Sequence, residues 1–215
     1  PQLSKLVESK NDLEVDEIQN KALELSLFLS IPATVALFIA SYPIISALFG
    51  YGSFSETSVQ NSALALFYFA FGLPAFALIK VFSSFFFARH NTRIPFYISL
   101  VSVILNLFIS VLFFKKVGFI IIPISTSISS WLNAIALYIF SRKKNFFTFN
   151  KVFSSKFPRI LISSILMGLI LYFLLDGFSN KLIYSESLKA VYLLLSVLIT
   201  AISYVIISVF TKAFK

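Results

Sequence analysis

The chain has 215 residues, 58% hydrophobic and only 13% charged, and its 18 Lys and Arg against nine Asp and Glu give a net charge of +9. Soluble domains carry roughly 25% charged residues, so water is not the main solvent here. The absence of Cys and the single His exclude disulfide and thiol chemistry and leave almost no material for a zinc or iron centre. The basic residues fall in gaps between apolar runs, which fits membrane topology and gives no surface for nucleic acid.

A hydrocarbon core of about 30 Å needs about 20 apolar residues of helix to cross it. Six such spans are predicted, at 22–49, 59–88, 94–114, 117–141, 158–175 and 188–211. The fold class is therefore an all-α polytopic membrane protein with six transmembrane helices. Residues 1–21, polar and mixed in charge, read as a cytoplasmic connector helix at the membrane surface. The chain opens on Pro1 with its first apolar run near Ala22, the pattern expected of a piece of a longer polypeptide and not of a signal peptide.

The first two spans are long and carry Pro32, Pro43 and, after Gly72, Pro74. Proline removes a backbone hydrogen bond and kinks a helix, so these positions are candidate hinges, with a static kink as the alternative. Lys80 lies six residues beyond Pro74, roughly 12 Å from the end of the span. Either it snorkels to the interface or it faces a hydrated cavity and an anionic substrate. No acidic residue lies between Glu56 and Asp176, so the second, third and fourth spans hold no carboxylate to neutralise it.

On the third span Ser99, Ser102, Asn106 and Ser110 recur at helical spacing. The fourth carries Ser125 and Ser129 on one stripe, with Thr126, Ser130 and Asn133 on the next. A level antiparallel hairpin would set Asn106 opposite Ser129 and Ser102 opposite Asn133, which makes Asn106, Ser129 and Asn133 candidates, with Lys80, for contact with a substrate. Interhelical hydrogen bonding is the competing account. Residues 142–157 interleave Arg142, Lys143, Lys144, Lys151 and Lys156 with five Phe. This cytoplasmic linker is expected to touch anionic headgroups, as are Arg89 and Arg93, unless it is an ordinary positive-inside loop. The 158–215 segment reads as two peripheral transmembrane helices, and 22–141 as a four-helix core.

Thirteen Lys and Arg fall in one set of alternate gaps and four, Lys115, Lys116, Lys181 and Lys189, in the other. By the positive-inside rule both ends of the chain are cytoplasmic. No carboxylate pair, Ser-His-Asp set or phosphate-cradling Gly loop can be assembled, so enzyme chemistry is not expected.

The strings "IQNKALELSLFLSIPATVALFIASYPIISALFGYGSF", "FGLPAFALIKVFSSFFFARHNTRIPFYISLVSVILNLFIS" and "STSISSWLNAIALYIFSRKK" closely resemble the C-terminal part of the MurJ (or MviN) lipid II flippases, of the multidrug/oligosaccharidyl-lipid/polysaccharide exporter superfamily. The resemblance implies helices 9 to 14 of a 14-helix, two-lobed flippase of the bacterial cytoplasmic membrane. It would move the anionic, lipid-linked peptidoglycan precursor by alternating access, with membrane lipids and the N-terminal half of the same protein as partners. The last two helices would border a groove for the polyprenyl tail. The alternatives are a related lipid-linked oligosaccharide or polysaccharide exporter, and a nonfunctional structural membrane fragment. No cofactor is implied, while dependence on membrane potential or a monovalent cation stays open. Some members of the family hold sodium with an Asn, an Asp and a Thr; the matching positions are Asn106, Ser110 and Thr126, where Ser110 replaces the carboxylate, the stronger hard-cation ligand.

Overall fold

The computed structural model describes residues 11–213, and Leu3 and Val7 before them. The first part of the connector segment expected at 1–21, before residue 11 and save Leu3 and Val7, therefore lies outside the described residues. Among those described there are six α-helices and no strand: α1 (Asp12–Phe49), α2 (Glu56–Phe87), α3 (Arg93–Val117), α4 (Ile121–Lys143), α5 (Lys151–Gly177) and α6 (Lys189–Phe210).

Among the described residues five uninterrupted helical stretches are long and apolar enough to cross a membrane, because Arg93–Lys143 runs on through a 3-10 turn at Gly118–Ile120. That turn separates α3 from α4. Gly118 adopts φ +74° there while its N–H bonds back to the Phe114 carbonyl, a left-handed conformation that glycine takes without steric cost. The expected link around residues 115–118 is thus a helical corner.

Two helices begin earlier than hydropathy suggests. α1 starts at Asp12, so the end of the connector and the first span are one helix of 38 residues, continuous through Pro32 and Pro43. At about 57 Å it exceeds the hydrocarbon thickness. α5 starts at Lys151, inside the expected linker, where the Asn150 Oδ1 accepts the Phe153 N–H at 2.7 Å as a helix N-cap.

The chain forms two compact units, each from separate pieces. One takes the chain up to Ser30 and Gly72–Phe157; the other takes Ile31–Phe71 and the chain from Pro158 on. The first has an aromatic core. Phe147 stacks on Phe85 at 5.4 Å, meets Phe82 at 5.9 Å and Phe149 at 4.9 Å, and is 1% exposed.

That placement corrects the expectation for residues 142–157. Phe147 and Phe153 are buried in protein and Phe146 packs on Phe86, instead of lying on headgroups. The linker is also clipped to α1. The buried Asn20 amide donates to the Thr148 carbonyl at 2.8 Å and accepts the Asn150 N–H at 3.1 Å. The Thr148 hydroxyl donates to Asp16 at 2.9 Å, and Lys156 pairs with Glu24 at 2.6 Å. Paired this way, the Thr148 carbonyl and the Asn150 N–H of the irregular linker are met inside the protein.

The second unit has an aliphatic core of Ala40, Ala47, Leu171, Leu175, Leu182 and Leu193. α5 approaches α1 so closely at Gly168 that an added Cβ would lie 2.5 Å from a Val35 methyl. On α6 the buried residues Lys189, Leu193, Ser196, Thr200, Tyr204 and Ser208 form one stripe at helical spacing. Its Ser and Thr hydroxyls bond back to the preceding turn, as Thr200 does to Ser196 at 2.7 Å.

Candidate functional site

The polar residues of α3 and α4 meet along a seam. The Asn106 amide donates to Thr126 Oγ1 at 3.0 Å and, at 3.4 Å, to Ser129 Oγ; Ser110 and Ser125 share a hydrogen bond of 2.6 Å; the Asn133 amide reaches Ser99 Oγ at 3.5 Å. The register is that of a level antiparallel hairpin. Asn133 pairs with Ser99, three residues and so nearly one turn from the Ser102 expected opposite it.

A cleft of about 270 Å³ opens on this seam, bounded by Phe76 and Ile79 of α2, Ser99, Ser102 and Asn106 of α3, and Thr126, Ser129, Ser130 and Asn133 of α4. No charged side chain lines it. Asn133 is 7% exposed and its Oδ1 has no hydrogen-bond partner. A buried acceptor left open costs free energy, so Asn133 carries an unmet demand for an N–H or O–H donor beside the cleft. Asn106, Ser129 and Asn133 come together here.

Lys80 is not part of the cleft wall. It is exposed, one turn beyond Phe76 on the same face of α2. Counted at 1.5 Å per residue from the ends of α2 and α3, Lys80 and Ser99 both lie about 10 Å from the 88–92 link, so the ammonium sits at the level of the Ser99 end.

Of the hinge candidates, Pro32 and Pro74 are buried and Pro43 half-buried. Gly72 is a close-packing position: a Cβ there would lie 2.9 Å from Ser127 Oγ and 3.2 Å from Ser127 Cα of α4. The chain passes between the two compact units beside Pro32 in α1, at Gly72 in α2 and at Pro158 in α5.

The basic candidates divide by what they touch. Arg89 donates to the Phe85 carbonyl at 2.9 Å and lies 4.5 Å over the Phe146 ring. Arg142 donates to the Phe147 carbonyl at 3.4 Å, and Lys143 lies 5.9 Å over Phe140. Arg93 and Lys144 are exposed. Arg89 and Arg142 thus help hold the linker.

A second cavity, about 470 Å³ and almost wholly apolar, is lined by Leu23 and Leu27 of α1, Leu78 and Phe82 of α2, Trp131, Ala134, Ile135 and Tyr138 of α4, and Phe149, Phe153 and Phe157. Sequence reasoning missed it. The signal was present on α4, where Trp131, Ile135 and Tyr138 recur at spacings of four and three, but the linker aromatics that complete the wall arrive by tertiary folding. α4 therefore carries a polar face to one cavity and an aromatic face to the other.

Asn106, Ser110 and Thr126 offer a weak donor set for sodium. The Ser110 and Thr126 hydroxyls are engaged with Ser125 and Asn106, and no carboxylate is among them. Among the described residues no cluster of three or more His, Cys, Asp or Glu could hold a metal ion.

Comparison with known proteins agrees on one family. The family model described as "Lipid II flippase MurJ" matches residues 1–193. A "Probable lipid II flippase MurJ" of Rickettsia prowazekii (strain Madrid E) is 34% identical over 188 residues, covering 87% of this chain and 37% of the relative. The Rhizobium tropici protein of the same description is 32% identical over 176 residues, covering 81% of this chain and 33% of its own length. A solved structure titled "Lipid II flippase MurJ, inward closed conformation" superposes with a TM-score of 0.77 at 26% identity, over 98% of this chain and 41% of that one. The chain thus spans about a third of the length of these curated relatives. Membrane-length helices, a polar hairpin seam and a match covering most of the residues lead to one conclusion: this chain belongs to the MurJ family.

Proposed function

We propose that this chain forms the C-terminal part of a lipid II flippase, carrying a lipid-linked peptidoglycan precursor across the bacterial cytoplasmic membrane by alternating access. The observation that carries this reading, beside the family match, is the double character of α4. One of its faces lines an uncharged hydrogen-bonding cleft and the other a large apolar cavity. An amphiphile with a saccharide head and a long hydrocarbon tail asks for both surfaces. The process is transport, not bond chemistry.

In this reading Lys80 supplies positive potential near the Ser99 end of the cleft, where it draws the anionic headgroup, while Asn106, Ser129 and Asn133 offer hydrogen bonds to its uncharged part. The aromatic cavity takes apolar chain. Pro32 and the Gly72–Pro74 pair act as hinges, a role supported by their place where the chain passes between compact units. Arg93, Lys143 and Lys144 face lipid headgroups, with both ends of the chain cytoplasmic. The N-terminal half of the polypeptide is the necessary partner. The cycle uses no organic cofactor and draws on membrane potential or on a monovalent cation bound away from the Asn106–Ser110–Thr126 positions.

The test is complementation of a bacterium depleted of its own lipid II flippase, with the full parent gene, the 215-residue piece and a Lys80→Met parent side by side. Rescue by the parent alone, with Lys80→Met impaired at normal membrane level, supports the reading. A well-expressed parent that fails to rescue would favour an exporter of another lipid-linked saccharide. Rescue by the piece alone would overturn the need for the N-terminal half.

A further inference from the structure

Lys189 is the first residue of α6 and 1% exposed. A lysine there runs against the helix dipole, whose positive end lies at the N-terminus, and an ammonium so buried must be met by other groups. It is met from two loops. Its Nζ donates to the Gly50 carbonyl at 2.7 Å and to the Tyr184 carbonyl at 2.7 Å, and it lies 4.4 Å from the centroid of the Tyr51 ring and 4.7 Å from that of Tyr184.

Carbonyl oxygens and the faces of aromatic rings are the neutral groups that attract a cation most strongly. Gly50 is required at its position. A Cβ there would lie 2.5 Å from the Ser46 carbonyl oxygen and 3.1 Å from Lys189 Nζ. A further bond closes the assembly, since the Tyr184 hydroxyl donates to the Phe54 carbonyl at 2.7 Å. Both loops lie in one compact unit.

We propose that Gly50, Tyr51 and Tyr184 build an ammonium cage, filled by the chain's own Lys189, that latches the α1–α2 loop to the α5–α6 segment so that the two move as one body. The cage reads the chemistry of a primary ammonium: two N–H donors for the carbonyls and a positive charge for the rings. It works without a carboxylate, so the latch holds no separable ion pair for salt to screen.

The experiment uses the intact polypeptide that carries this chain. Amide hydrogen exchange is followed in residues 51–55 and 183–188 for the parent and for Lys189→Ala, alone and with n-propylammonium, tetramethylammonium or 1-propanol. Lys189→Ala is expected to raise exchange in both loops about tenfold or more, the factor that one charge-assisted hydrogen bond represents. n-Propylammonium, the severed side-chain end, should restore protection. Tetramethylammonium, which has charge but no N–H, and 1-propanol, which has a donor but no charge, should each do so poorly. A rise in one loop only, no rise, or equal rescue by 1-propanol would overturn the proposal. Should Lys189→Ala fail to accumulate, Tyr51→Leu decides: it removes one exposed ring, and a rise of about threefold in both loops is expected, whereas none in either overturns the latch.

Discussion

Two regions of this molecule place polar groups in or beside apolar surroundings and resolve them differently. Around Lys189 a full charge is surrounded until its needs are met, by two carbonyls and two rings. Along the α3–α4 seam the groups are neutral, they bond to one another and back to carbonyls of their own helices, and Asn133 Oδ1 is left open. A buried charge cannot be left half-satisfied without a large penalty, whereas a neutral amide can leave one acceptor open at a cost of about 1–3 kcal/mol. The closed arrangement suits a structural tie; the open one suits a ligand that comes and goes.

The sharpest way to break this contrast is Lys189→Met in the full protein. It strips the donor from two carbonyls and the cation from two rings, and a loss of about 3 kcal/mol is expected, read as a lower thermal midpoint in detergent by circular dichroism. A midpoint within error of the parent would mean that the cage contributes no stability. Gly50→Ala should follow at about 2 kcal/mol, because the new methyl meets backbone at 2.5 Å and overpacking costs about 1–3 kcal/mol. The same melt reports it, and an unchanged melt would show that the loop relaxes freely.

Smaller effects are expected at the seam. Asn106→Ala should cost about 0.6 kcal/mol, the mean for a hydrogen bond between membrane helices; a loss as large as that of Lys189→Met would erase the distinction between the regions. Asn133→Ala should move the melt less than Asn106→Ala, since its Oδ1 contributes no bond and its amide reaches Ser99 only at 3.5 Å, yet reduce transport severalfold in the complementation assay if that acceptor serves substrate. Normal transport would remove Asn133 from the proposed site.

The two regions also differ in how far a linear reading reaches them. Ser99, Ser102, Asn106 and Ser110 repeat at intervals of three and four, and the short link to α4 forces an antiparallel neighbour, so the seam follows from local geometry. Lys189 was counted among cations of an outer gap. Its burial depends on Gly50, 139 positions away in sequence, and no periodicity reports a contact of that kind. The linker shows the same limit. Its Phe residues beside Lys and Arg suggested a membrane surface, but Asn20, Asp16 and Glu24 clip it to α1 and Phe147 fills the aromatic core.

By itself the sequence determined that the chain lives in a membrane, roughly where its six long helices lie, that α3 and α4 pair through their polar faces, and which family the motifs resemble. These follow from composition, the 1.5 Å rise of a helix and short connections, all local quantities. Only the tertiary structure decided that Lys189 is caged, that the linker aromatics wall an apolar cavity, and that the compact units are assembled from separate pieces divided beside Pro32, at Gly72 and at Pro158. The physical reason is that each depends on which distant surfaces exclude lipid and water from one another, a choice made by the packing of the whole and by no single segment.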